Sequence, residues 1–197
     1  MGVIVMDKNW IPLQSIPSGG RQLRIDDQLL WQGFLDEFDM PVRIVEPMAA
    51  DMTILPQSDG VLFRGRICGR VTMPCDRCSS DSIVDLAHAF DSFEPFPLEF
   101  IPPGAAGVRV SLEEEPEETD EAVIRLAAHG RGIEINPAAL AWEEFSLSLP
   151  IKPLCASDCK GLCPTCGCNN NTETCSCDTS PKDPRLAVLR GLTIPKK

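Results

Sequence analysis

Histidine is scarce in this chain, with two in 197 residues, and neither His88 nor His129 stands in a nucleophile or metal-hydrolase motif. We read both as structural or solvated side chains. A glycine-rich phosphate loop, a nucleophile elbow and an H-E-x-x-H pattern are equally missing, which leaves phosphoryl transfer, serine hydrolysis and zinc proteolysis without their usual machinery. The expectation is therefore a protein that is not an enzyme. No apolar run reaches the eighteen or more residues that a membrane helix needs, so no membrane span is expected. The opening MGVIVMDKNW has no basic start followed by a long apolar core, and a cytoplasmic protein is the resulting expectation. Basic residues are in the minority, at 18 against 29 acidic. Affinity for a phosphate backbone comes from Lys and Arg that neutralise it, so a general nucleic-acid clamp is excluded and any RNA contact must be local or made through a partner. Nor does the sequence suggest a small-molecule substrate.

What the chain has in abundance is cysteine, and it is clustered. Seven of the ten lie at Cys155, Cys159, Cys163, Cys166, Cys168, Cys175 and Cys177. The segment around them is rich in Gly, Asn and Thr and can bury little apolar surface, so a crosslink must order it. In a reducing compartment clustered thiols hold metal more often than they form disulfides. The unit CPTCG, Cys163 to Gly167, has knuckle form: two intervening residues let both sulfurs face one ion, and the glycine permits positive φ. A tetrahedral site needs two further thiolates, which Cys155 and Cys159 on one side or Cys175 and Cys177 on the other can supply. An all-cysteine set is closed to water and reads as structural zinc. The rival is iron–sulfur chemistry, because Cys159, Cys163 and Cys166 have the C-x3-C-x2-C spacing of radical enzymes. Those enzymes need a large α/β barrel, which this chain cannot assemble, so only a small electron carrier survives as an alternative.

A second pair, Cys75 and Cys78, sits between two strand patterns. From Val61 to Met73 the odd positions Val61, Phe63, Ile67, Val71 and Met73 are apolar, with Gly65 and Gly69 interspersed, while Arg64, Arg66 and Arg70 take even positions. Period two marks a half-buried strand, and the glycines mark bulges or a close neighbour. Ser82 to Phe93 supplies a second strand with Val84, Leu86 and Phe90 on one face. The pair therefore occupies a hairpin tip, either as half of a metal site or as two reduced thiols in a turn. Arg64, Arg66 and Arg70, with Arg77 at the tip, form a basic ladder that suits phosphates or an acidic protein surface, or simply faces water.

The remaining chain reads coarsely. A helix capped by Asp26 or Asp27 runs to Phe38 with Leu30, Trp31, Phe34, Leu35 and Phe38 on one side. Val42–Val45 and Asp51–Leu55 look like two strands. The stretch 101–121, with seven acidic residues between Glu113 and Glu121, reads as a solvated linker. Ala122–Leu126 and Ile133–Ile135 form a hairpin around Gly130. Asn136 caps a helix with Pro137 at its first position, running to about Leu147. After the cysteines, Asp183 and Pro184 start a short amphipathic helix containing Leu186, Leu189 and Leu192. The expected architecture is α+β: an antiparallel sheet with a few packing helices over residues 1–149, and a cysteine-rich zinc module with a short helix over 150–197.

With these residues laid out, the run LSLPIKPLCASDCKGLCPTCGCNNNTETCSC followed by DPRLAVLRGL closely resembles the C-terminal signature of the YceD family, the large ribosomal RNA subunit accumulation proteins. That signature is P-L-C-x3-C-K-G-L-C-P-x-C-G, an Asn-containing loop, a C-x-C pair and a D-P-R-x-x-x-L helix. VTMPCDRC resembles the family's other hallmark, a strand ending in C-x-R-C. Carried over by motif, Cys75, Arg77 and Cys78 match the middle hallmark, and Cys155, Cys159, Cys163, Cys166, Cys175 and Cys177 match the C-terminal set. Cys168 departs from the pattern and is demoted as a ligand. The resemblance implies a cytoplasmic role in synthesis, processing or stability of large-subunit ribosomal RNA, with ribosomal RNA or a processing or assembly protein as partner and no established catalysis. Some members lack much of the C-terminal set, which implies a metal that serves stability or docking. A zinc-dependent adaptor unrelated to ribosomes is the other alternative.

Overall fold

A computed structural model describes residues 9–96, 122–127 and 132–177 of the chain. The acidic stretch, His129, Gly130 and the expected C-terminal helix lie outside the described residues. Four strands form one antiparallel sheet in the order β2-β3-β4-β5: β2 (Arg21–Ile25), β3 (Arg43–Pro56), β4 (Gly60–Pro74) and β5 (Asp81–Pro95). A smaller antiparallel sheet has the order β1-β7-β6, from β1 (Ile11–Pro12), β6 (Ile124–Leu126) and β7 (Ile133–Ile135). Two helices, α1 (Gln28–Glu37) and α2 (Pro137–Ser148), complete an α+β fold.

The alternation in β4 is realised as expected. Val61, Phe63, Ile67 and Val71 are each 0 % exposed. From β5, Leu86 and Phe90 join them, and from β3, Met48, Ala50, Met52 and Ile54. The helices lie on this apolar face and meet through aromatic rings. Phe34 of α1 is 5.2 Å from Trp142 of α2, Phe38 stacks on Trp142 at 5.0 Å, and Trp31 meets Phe145 edge-on at 5.8 Å. Such pairs add to the area they bury because ring edges and faces carry opposite partial charge.

Both helix starts follow from their first residues. The Asp27 carboxylate accepts from the Leu29 amide at 2.9 Å. The Asn136 side-chain oxygen accepts from Ala138 and Ala139 at 3.2 Å each, satisfying amides that have no partner within the first helical turn.

Two expectations are corrected. Val42–Val45 and Asp51–Leu55 are not separate strands: from Arg43 onward both fall within β3, which continues through Pro47 with register shifts between Ile44 and Glu46 and between Glu46 and Ala49. Proline has no amide to give the ladder, and the irregularity absorbs it. Opposite this stretch, a Cβ on Gly69 would lie 2.3 Å from the Met48 sulfur, so the glycine admits the close approach. Gly65 does the same beneath the Phe90 ring, where a Cβ would sit 2.6 Å from Cζ. The second correction is β2. Leu23 and Ile25 pack against the core there while Arg21, Gln22 and Arg24 stay exposed, a strand for which the sequence carries no distinct signal.

Candidate metal centre

The turn between β4 and β5 is built from Cys75 to Ser80. Fifteen register pairs run from Gly60↔Pro95 to Pro74↔Asp81, so the turn stands on a continuous ladder. The Cys75 amide donates to the Ser80 carbonyl at 2.8 Å, the Ser79 amide donates to the Cys75 carbonyl at 2.9 Å, and Ser79 takes φ 59° to close the loop. Cys75 and Cys78 consequently point to one side.

The tail after α2 is laid against this turn by backbone hydrogen bonds. Asp76 donates to the Pro153 carbonyl at 2.8 Å and Leu162 to the Arg77 carbonyl at 3.0 Å. The Ser82 hydroxyl reaches the Leu154 carbonyl at 2.8 Å, and the Arg77 guanidinium donates to the Cys159 carbonyl at 2.8 Å. These contacts bring Cys155 and Cys159 to the hairpin pair. The sulfurs of Cys75, Cys78, Cys155 and Cys159 all lie within 4.8 Å of one another. The Cys75–Cys159 separation is 3.8 Å and the Cys78–Cys155 separation 3.5 Å. This set is called site 1.

Farther along, Cys163, Cys166, Cys175 and Cys177 form a second group, also within 4.8 Å. Here the knuckle holds: the Cys163 amide donates to the Cys168 carbonyl at 2.8 Å, the Gly167 amide to the Cys163 carbonyl at 2.9 Å, and Gly167 has φ 76°. Both members of the C-x-C pair face inward, with the Cys175 sulfur 3.3 Å from that of Cys163. This set is site 2.

The donor chemistry fits a single divalent ion at each site. Four thiolates bound at about 2.3 Å in a tetrahedron stand about 3.8 Å apart; the quoted separations of 3.3–3.8 Å lie at or somewhat below that value, and no pair in either set exceeds 4.8 Å. Without a cation the sets are electrostatically crowded. Hydrogen bonding with Cys78 and Cys159 pushes the Cys155 thiol up to about 12, and contact with Cys166 and Cys175 does the same to Cys177, also to about 12. Other members are primed to ionise. Burial pushes Cys75 up, but the backbone amides of Cys155, Arg77 and Cys78 outweigh it and bring the thiol to about 6. The amides of Cys166 and Thr165 lower Cys163 to about 6. One dication at the centre would satisfy the thiolates the amides favour and remove the repulsion that keeps the rest protonated.

The C-x3-C-x2-C triplet is divided by the fold. Cys159 belongs to site 1, and Cys163 and Cys166 to site 2. A multinuclear cluster interposes several atoms between its thiolates and spreads them wider than one ion does, whereas these sulfurs converge on single points. Cys168 stands outside both sets, with its sulfur 3.9 Å from the Asn170 side-chain oxygen.

The arginines are dispersed. On the outer sheet face Arg64 pairs with Asp91 at 2.7 Å, and Arg70 with both Glu46 and Asp85. Arg66 lines the same shallow groove as Arg24, Asp51 and Arg64. Arg77 is not on that face, because its guanidinium holds the tail. Of the histidines, His88 faces inward from β5 and meets Glu144 of α2 at 2.9 Å, a pairing that joins sheet and helix. Its position in the inward set of β5 was readable from period two, but Glu144 as its partner was not.

The family model described as "Large ribosomal RNA subunit accumulation protein YceD" matches residues 63–193, which contain every cysteine of both sites. No curated protein and no solved structure matches the chain.

Proposed function

The chain belongs to the YceD family, and from that premise we propose that it is a non-enzymatic factor supporting synthesis, processing or stability of large-subunit ribosomal RNA, built around two structural zinc sites. The supporting observation is site 1 itself, which draws ligands from a hairpin and from a tail more than seventy residues later. Zinc suits four converging thiolates with no position left for water, and such a set stabilises shape rather than performing a reaction. The sheet and the cysteine tail, joined at site 1, then present one fixed surface in the cytoplasm.

The partner that surface suits best is a protein of ribosomal RNA processing or assembly. On the outer sheet face, Arg64 and Arg70 already have carboxylates, so phosphates would have to displace Asp91, Glu46 and Asp85. Exposed pairs of this kind are individually weak, worth about 0–1 kcal/mol, but alternating charges match a protein surface better than a uniformly negative backbone. Reversing Arg64 and Asp91 together is expected to weaken capture of the partner while leaving any residual affinity for ribosomal RNA unchanged between low and high salt. A steep fall of RNA affinity with ionic strength, removed by Arg64→Ala or Arg66→Ala, would instead establish direct phosphate contact.

Removal of the gene, followed by quantification of the two ribosomal RNAs, tests the biological reading. The expected result is a lower ratio of large- to small-subunit RNA, restored by the intact gene and not by one carrying serine at Cys75 and Cys78. An unchanged ratio sinks the ribosomal reading and leaves a zinc-dependent adaptor of another process.

A further inference from the structure

Resting on the two-site reading, we infer that Asn171 couples the sites, so that an ion held at site 2 strengthens binding at site 1. Asn171 belongs by sequence to site 2, on the loop between Cys166 and Cys175. Its side chain serves both this loop, where Nδ2 donates to the Asn169 side-chain oxygen at 2.8 Å, and the neighbouring site. The amide Nδ2 donates to the Cys159 sulfur of site 1 at 3.4 Å, while Oδ1 accepts from the Lys160 backbone at 2.8 Å. A hydrogen bond to a ligating thiolate spreads its negative charge and fixes its orientation, and the loss of such outer partners typically lowers metal affinity about 10–100-fold.

The rest of the asparagine run carries the loop to the right place. Asn169 bridges to Leu162, and the Asn170 amide donates to the Gly161 carbonyl at 3.0 Å. These contacts clamp the loop onto residues 160–162, the short segment separating Cys159 from Cys163. Asn169 also reaches the hairpin, donating from Nδ2 to the Ser80 hydroxyl at 3.2 Å, and its Oδ1 accepts from the Asn171 amide at 3.0 Å. Closing the chain between Cys166 and Cys175 with a metal limits where the loop can go, so the entropy of placing Asn171 against Cys159 is met once, at site 2. Site 1 then forms against a donor already in position. By linkage the effect is mutual: filling site 1 strengthens site 2 by the same factor.

Loop turn chemistry alone predicts something different. Three asparagines in a polar loop can serve only their own turn, and site 1 would then be indifferent to them.

Titration of the full-length apo chain with Co2+ against a chromophoric chelator separates these outcomes, because thiolate-to-cobalt charge-transfer absorption reports on each sulfur. The unmodified chain should take up two ions. In the Asn171→Ala chain uptake should still reach two, with one site about 10-fold weaker and its charge-transfer band moved to lower energy, as a thiolate freed of a hydrogen bond donates more readily. Asn171→Asp keeps the acceptor for Lys160 but sets a carboxylate beside the sulfur, and should weaken that site further. A chain with Cys175→Ser and Cys177→Ser isolates site 1. Its affinity should fall about as much as in Asn171→Ala, and adding Asn171→Ala to it should change little more. Equal site 1 affinity with and without site 2, or an Asn171→Asp chain that binds as the unmodified one does, overturns the coupling while the two-site reading stands. Uptake of fewer than two ions by the unmodified chain overturns both.

Discussion

Replacing Cys75 and Cys78 together by serine is expected to release the tail from the sheet while the sheet stays folded. Magnitudes decide this. Apart from the metal, the tail is held by hydrogen bonds from Asp76, Arg77, Ser82, Leu162 and Asn169, each worth about 1 kcal/mol net. Its apolar packing at the junction is slight, since among the described residues only Leu154 joins the buried Cys75, Cys78 and Cys159. Fixing even ten residues of backbone costs of order 10–20 kcal/mol, well beyond what those contacts return. A structural zinc contributes about 10–16 kcal/mol, the scale needed to close that gap. The double variant should therefore bind one metal in place of two. Limited proteolysis should cut it rapidly after Pro150, and far-UV circular dichroism should keep the strand signal of the sheet. Two metals in the variant would show that Cys75 and Cys78 are not ligands. One metal with a protease-resistant tail would show that hydrogen bonds suffice and that the staple is dispensable.

The second large effect is expected inside the body, at Phe34. Its side chain is 0 % exposed and lies between Trp31, at 6.3 Å, and Trp142, at 5.2 Å. Phe34→Ala removes a ring from the aromatic cluster that joins α1 to α2, and the bulky indoles around it cannot collapse into the space. The cost should be about 3–5 kcal/mol, a large share of a typical domain's 5–15. Urea denaturation should show the midpoint falling with little change in slope. Phe34→Leu, which keeps most of the volume, should recover more than half of the loss. If alanine costs under 1 kcal/mol, the helices are held chiefly by the sheet and their mutual contact matters little.

How much of this was legible before folding varies by element, and the reasons are physical. The arginine-bearing strand was readable because burial on one face imposes period two, and β4 buries the residues that period selects. Helix starts at Asp27 and Asn136 were readable because capping is local. The single strand through Pro47 was hidden, since a proline inside a run ordinarily ends it and the compensating glycine lies across the sheet at Gly69. Strand β2 is equally hidden, because five residues with two apolar side chains carry too faint an alternation beside a strong helix signal. Arg77 was grouped with the other arginines because strand periodicity extends poorly into a turn, where the backbone reverses and side chains leave the sheet face.

The sequence by itself determined that the tail carries a dense cysteine cluster, that Cys163 and Cys166 have the spacing to face one point and that Cys75 and Cys78 stand at a turn between two strands, because near-neighbour spacing and period two are local properties of the chain. The partition of eight thiols into two sets of four was decided only by tertiary structure. Cys159 is four residues from Cys163 and eighty-four from Cys75, yet its sulfur faces the latter, since the tail's backbone hydrogen bonds to Asp76 and Arg77 turn it toward the hairpin. No spacing rule contains that choice. It depends on where a long antiparallel ladder happens to end and on which face of its turn the returning chain can reach.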